Sequence, residues 1–170
     1  MVDRIMPQRM VYGSAYNSMI PGLVAPHKQD LRPLVKGERY LGRFIVPPFQ
    51  RGLVWTEYQK SRLIESIYIG LPIGAIVWNQ VEFKADTGYN PCDFWLLDGQ
   101  QRMSAICEYM AGQFPVMGWR YIDLPDREKV HFNRMCVPGI ETCLETEAEC
   151  RDVYDRLVYG GSPHIGENPA

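Results

Sequence analysis

The segment Phe94-Trp95-Leu96-Leu97-Asp98-Gly99-Gln100-Gln101-Arg102 constrains this chain more than any other. Its apolar start reads as a short buried strand. Asp98 and Gly99 end that strand at once, and Met103, Ile106, Cys107 and Met110 then recur at helical spacing, with Gly112 as the expected stop. A strand entering a helix through so tight a turn presents the first N–H groups of the helix at the strand's carboxyl end. Those donors lack partners within the helix and attract anions. Gly99 lets the backbone approach a phosphate closely. Arg102 adds a charge-assisted contact, and Asp98 can hold a divalent cation or orient Arg102. The same residues also fit a plain polar turn in which Asp98 caps the helix and pairs with Arg102. Both readings stay open at the level of sequence.

The rest of the chain alternates helix and strand. A short helix is expected over Gln29 to Val35, closed by Gly37. Gly42 to Val46 reads as a strand, ended by Pro47-Pro48. Thr56 and Gln59 form a capping-box pair ahead of a helix carrying Leu63, Ile64, Ile67 and Tyr68 on one face. Gly70 and Pro72 stop it, and Ile73 to Trp78 reads as a strand buried on both faces. Residues 83–92 are a polar connection, and Arg134 to Val137 is a strand candidate. A last helix begins near Thr146, with Glu149 as capping partner and Cys150, Val153, Tyr154 and Leu157 as its stripe. Gly160-Gly161-Ser162-Pro163 ends it. No regular element is expected before Gln29, so residues 1–28 read as an arm or irregular segment. The class is α/β or α+β.

Composition removes several classes. At 170 residues the chain has one domain's worth of sequence, and 46% hydrophobic against 22% charged residues excludes wholesale disorder. The net charge of −2 excludes a generic polycation for nucleic acid. Met1 to Arg62 holds ten basic and four acidic residues, and Leu63 to Ala170 eight and sixteen. The basic third can face an anion, or the two parts can simply attract one another. The run Ile67 to Trp78 is too short to span a bilayer, and Asp3 and Arg4 argue against a secretory signal. Five cysteines without a Cys-x-x-Cys pair read as reduced thiols of a cytoplasmic protein, with Cys143 and Cys150 on a buried stripe. Trp55, Trp78, Trp95 and Trp119 read as core.

Pro47-Pro48-Phe49-Gln50-Arg51 closes another strand, and by itself its Gln50 and Arg51 fit a surface loop or a contact to phosphate, sugar or base. In context, Val46 to Trp55 resembles the "I-P-x-F-Q-R-x-x-V-W" opening of the N-terminal domain of GmrSD-type restriction endonucleases. Leu63-Ile64-Glu65-Ser66-Ile67, Gly70 and Pro72-Ile73-Gly74 are similar to that family's "L-I-x-S-I…G-x-P-I" segment. Asp98 to Arg102 matches its "D-G-Q-Q-R" signature, and Tyr154 to Pro163 resembles its "F-x-R-x-N-x-G-G-T-P" segment, with Val158 at the Asn position. The motif order also resembles the ParB N-terminal domain, whose two boxes align with Gln50 and Arg51 and with Gly99 and Arg102, and more remotely sulfiredoxin. Sulfiredoxin's reactive Cys falls at Gln100 or Gln101 here, so its redox chemistry is not expected.

The resemblance implies an α+β, ParB/sulfiredoxin-like domain over 29–165, a small mixed sheet flanked by helices, with a tail at 166–170. It implies a nucleoside triphosphate bound with Mg²⁺, and possible hydrolysis in a restriction system. Phosphates would lie against Gln50, Arg51, Gly99, Gln100, Gln101 and Arg102, with Arg156, Gly160, Gly161 and Ser162 closing the site. Asp98 would hold the metal, and Asp98 and Arg102 are the catalytic candidates. Full GmrSD proteins carry a separate His-Asn-His nuclease domain; His27, His131 and His164 form no such cluster. A short stand-alone member, of the kind a phage could carry, is therefore expected. Alternatives are a regulatory or anti-restriction factor that binds a defence protein, and a DNA-binding or nicking protein using the basic third. A homodimer fits either.

Overall fold

The computed structural model describes residues 13–25, 32–80 and 88–159. Its class is α+β. Strand β1 (Ala15–Met19) leads into a short helix α1 (Ile20–Val24), and a hairpin of β2 (Arg39–Leu41) and β3 (Phe44–Val46) follows. Helix α2 (Glu57–Tyr68) precedes β4 (Ile76–Asn79), and β5 (Leu96–Asp98) runs into α3 (Gln100–Met110). After a 3-10 turn at Tyr121–Asp123 come α4 (Asp126–Asn133), β6 (Cys136–Thr142) and α5 (Glu147–Tyr159). The four-stranded sheet has the order β1-β6-β4-β5. β4 runs parallel to β6 and antiparallel to β5, and β1 runs antiparallel to β6.

β4 shows why an apolar run becomes a central strand. All four of its residues are buried. Ile76 and Trp78 face a core shared with Ile64 and Ile67 of α2 and with Met103 and Ile106 of α3. Val77 points the other way, into a second cluster with Leu97, Cys150 and Val153 under α5. Strand side chains alternate faces, so covering both faces demands an unbroken apolar sequence. Each fully buried Leu or Ile here contributes about 1.5–3 kcal/mol.

The helix ends follow local chemistry. At α2 the Gln59 N–H donates to Thr56 Oγ1 (3.3 Å) and the Thr56 N–H donates to Gln59 Oε1 (2.9 Å). Thr146 and Glu149 make the same reciprocal pair at α5, at 3.3 and 3.0 Å. No helix among the described residues is long and apolar enough to cross a membrane.

Several elements differ from the sequence reading. Residues 13–25 are not an irregular arm: β1 pairs along β6, and Ile20 and Leu23 are buried. Residues 32–35 are not helical. Arg32 precedes Pro33, which disfavours helical backbone, and its guanidinium is drawn inward to the Glu38 carboxylate. Gly42 and Arg43 turn the hairpin, so that strand begins only at Phe44. Cys143 is exposed, in the connection ahead of α5, while Cys150 is buried. Trp78 and Trp95 are core, Trp55 is half-buried, and Trp119 is exposed. Residues 1–12, residues 26–31 with the start of the helix expected at Gln29, the start of the 83–92 connection and the chain from Gly160 onward lie outside the described residues.

Candidate functional site

β5 delivers the chain to α3 through Gly99, which caps the helix in the left-handed region (φ 94°, ψ 12°). No side chain caps α3. Its first-turn N–H groups therefore open onto a cleft of about 90 Å³, bounded by Gln50, Arg51, Asp98, Gly99, Gln100 and Arg102, with Trp55, Tyr154 and Val158 behind them. Glycine is required at residue 99. A Cβ there would lie 2.5 Å from Ile76 Cδ1 and 3.4 Å from Arg102 Nη2. Gly99→Ala is expected to cost about 2–4 kcal/mol in urea unfolding, the sum of left-handed strain and overpacking against buried Ile76.

The charged groups of the turn are already in contact. Arg102 Nη2 donates to Asp98 Oδ2 at 2.7 Å and to the Ala75 carbonyl at 2.8 Å. Asp98 thus pairs with Arg102, as one of the two sequence readings required, but it does not cap the helix. Arg102 Nε is buried without a partner. Gln100 is 5% exposed, and its Nε2 also has no hydrogen-bond partner. A buried amide donor left unpaired costs about 1–3 kcal/mol, so it marks a place where an acceptor is missing.

The two glutamines of the signature have different surroundings. Gln101 Oε1 accepts from the N–H groups of Val54 (3.0 Å) and Trp55 (3.2 Å), while its Nε2 donates to the Gly52 carbonyl (3.0 Å). All these bonds hold the loop between β3 and α2 against α3. Gln101→Ala is expected to speed amide exchange at Val54 and Trp55 about tenfold or more, with other amides little changed. Gln50 reaches the site through the same loop, and its Nε2 donates to the Leu96 carbonyl.

Arg51 is exposed, and its guanidinium forms no ion pair among the described residues. It also lines a second hollow of about 310 Å³ with Phe49, Arg151, Tyr154 and Asp155. Tyr154 links the two: its hydroxyl accepts from the Arg51 N–H at 3.4 Å. In the hollow, the Arg151 guanidinium lies 5.0 Å from the Phe49 ring centre.

The structure therefore brings Gln50, Arg51, Asp98, Gly99, Gln100, Gln101 and Arg102 together. Arg156 is apart from them, paired with Asp152 at 3.0 Å on the exposed side of α5. Gly160, Gly161 and Ser162 lie outside the described residues. Tyr154, Val158, Phe49 and Arg151 also line the site: Tyr154 belongs by sequence to an apolar stripe, Phe49 and Val158 stand within the family motifs, and Arg151 carries no sequence signal. The signal for Val158 was present, since it stands at the Asn position of the late motif. Among the described residues no three acidic, His or Cys side chains group as a metal site.

No curated protein and no solved structure matches the chain. The family described as "GmrSD restriction endonuclease, N-terminal domain" matches residues 31–162, a span that carries both the Gln50–Arg51 loop and the Asp98–Arg102 turn, and the chain belongs to that family.

Proposed function

We propose that this domain binds a nucleoside triphosphate, with phosphate at the N-terminus of α3 and the sugar or base in the adjoining hollow. One observation carries the reading: buried Gln100 Nε2, a donor without an acceptor, borders a cleft that also holds Arg51, Arg102 and the uncapped turn of α3. Donors and positive charge converge there, as an anion requires. At about 90 Å³ the cleft fits a phosphate group alone. Sites for larger ligands run to about 300–1,000 Å³, a size the hollow beside it supplies.

Mg²⁺ fits this donor set only in company with the nucleotide. Asp98 is the one acid lining the cleft among the described residues, and Mg²⁺ commonly takes one or two carboxylates with phosphate oxygens and water. Bound there, the ion would neutralise phosphate charge. Hydrolysis asks more of the chain, because Asp98 must give up Arg102 to the phosphates before it can accept a proton from water. A role by binding alone, within a restriction system, is favoured by Val158, an apolar side chain on the cleft wall where the family motif has Asn.

Calorimetric titration with ATP, GTP, CTP and UTP in turn, each with and without Mg²⁺, tests the reading. Saturable binding of at least one, strengthened by Mg²⁺, is the expected result. Absence of binding to all of them sinks it. Phosphate release measured on the same samples separates turnover from binding alone.

A further inference from the structure

The far end of α3 borders a larger feature with the opposite chemistry. A cavity of about 650 Å³ opens between the last turns of α2 and α3 and the start of α4. Its walls are apolar and aromatic: Tyr68 from α2 and Ile69 just past its end, Tyr109 from α3, then Val116, Met117, Trp119, Leu124 and Pro125. This size lies within the range of small-molecule sites. None of the motifs of the nucleotide cleft contributes to it.

Two observations set the sign of the charge it would accept. First, among the described residues Glu65 and Glu128 are the only carboxylates on its walls, and no lysine or arginine lines it. Glu65 is paired with exposed Arg62, while Glu128 has no ion pair among the described residues. Second, α2 and α3 both end at the cavity, and neither carries a basic residue in its last turn. The negative ends of their dipoles are therefore left uncompensated. The positive end of α4 also lies here, but Asp126 and Glu128 occupy its first turn. The nearby Lys129 ammonium is taken up by the Ile122 carbonyl at 2.8 Å. The Tyr68 hydroxyl is buried at the cavity next to that of Tyr109. Burial, with the Tyr109 hydroxyl beside it, pushes its ionisation well above the usual tyrosine value, so it remains a neutral dipole.

A tight turn forms the rim. Met117 and Gly118 turn the chain with φ of 48° and 83°, and Val116 and Trp119 exchange backbone hydrogen bonds of 2.8 and 2.9 Å across them. A left-handed methionine costs about 1–2 kcal/mol, yet Met117 is held there and is 85% exposed. Trp119 is 55% exposed and Ile69 is 70% exposed. Aromatic faces beside an unpaired carboxylate, here that of Glu128, attract cations that carry an apolar body.

We propose that this cavity is a binding site for a small organic cation, an amine with an aromatic or alkyl body. The body lies against Tyr68, Tyr109 and Trp119, and the ammonium faces Glu128. The site is independent of the nucleotide cleft.

The test compares three probes of one shape on the full chain: 4-phenylbutylammonium, 4-phenylbutanol and 4-phenylbutyrate. Binding is measured by calorimetry, and its place is read from the indole N–H resonance of Trp119, assigned with Trp119→Phe. The ammonium is expected to bind about tenfold more tightly than the alcohol, with the carboxylate weakest. Glu128→Gln, at an exposed position, should reduce that preference to about twofold while leaving the alcohol's affinity unchanged. Equal affinity for ammonium and alcohol overturns the proposal. So does binding that leaves the Trp119 resonance unmoved, binding of no probe at all, or displacement of the probe by self-association of the chain at high concentration.

Discussion

Glu38→Ala is expected to be the most destabilising single substitution in this chain, by about 3–5 kcal/mol, the cost of stripping the partner from a buried charge. The Glu38 side chain is 0% exposed and faces Arg32, itself 6% exposed. Arg32 Nη1 and Nη2 donate to the two carboxylate oxygens at 2.8 and 2.5 Å, and Nη2 also donates to the Pro91 carbonyl. The Trp95 indole donates to Glu38 Oε1 at 2.5 Å and the Val35 N–H donates to Oε2 at 2.8 Å. One carboxylate thus joins the segment ahead of β2 to the loop that enters β5. Removing it strands a guanidinium, an indole and an amide together. Urea unfolding checks the magnitude, and a loss below about 1 kcal/mol would refute the account. The double variant Arg32→Met with Glu38→Leu should recover part of the loss, since it leaves no unpaired charge.

The same carboxylate gives a pH dependence. Burial pushes its proton affinity up, but the bonds from Arg32, Val35 and Trp95 outweigh this and hold it below the usual carboxylate value. A depressed folded value means that the unfolded chain binds the proton more readily. The stabilisation is therefore complete above the ordinary glutamate range and is lost as pH falls through the lower, folded value. Wild-type protein should lose stability on acidification below about pH 4.5, and Glu38→Gln should show a flatter profile there.

The second large effect concerns the cleft. Arg51→Ala should weaken nucleoside triphosphate binding about 10–100-fold, the worth of one charged hydrogen bond. Its melting temperature should not move, because the Arg51 side chain is exposed and has no ion pair among the described residues. Arg102→Ala should weaken binding at least as much and should also lower stability. It removes the 2.8 Å bond to Ala75 and leaves Asp98 alone beside the helix. Calorimetry and thermal melting on both variants give a two-by-two outcome. If both bind as tightly as wild type, the nucleotide is elsewhere. If Arg51→Ala alone loses stability, its role is structural.

Much of the fold was legible from local chemistry. The capping boxes at Thr56 and Thr146 place helix starts without tertiary help, because their donors and acceptors lie within one turn. The apolar run through Ile76, Val77 and Trp78 specifies a central strand because both of its faces need covering. Gly99 could be placed at a backbone turn on local grounds alone. What escaped is what lacks a local signal. β1 is mostly exposed and shows no alternation, and it exists because β6 offers it a partner. β6 meets the strand candidate Arg134 to Val137 only at Cys136 and Val137, because the rest runs through Pro138 and Gly139, both poor strand residues, between β1 and β4. Gly139 is tolerated there because a Cβ would strike the Trp78 ring at 2.5 Å. α4 buries only Phe132 and so has no apolar period to read.

The candidate site divides the same way. The sequence by itself determined that a strand ends at Asp98, that a helix starts beyond Gly99, and that the chain carries the motifs of its family. Only the tertiary structure decided the duties of the individual residues. Gln100 and Gln101 are adjacent and chemically identical, yet one has a buried amide without an acceptor and the other holds the loop from Gly52 to Trp55. Successive helical side chains point about 100° apart, so each meets a different neighbour. Such neighbours come from distant parts of the chain, and no local pattern encodes them.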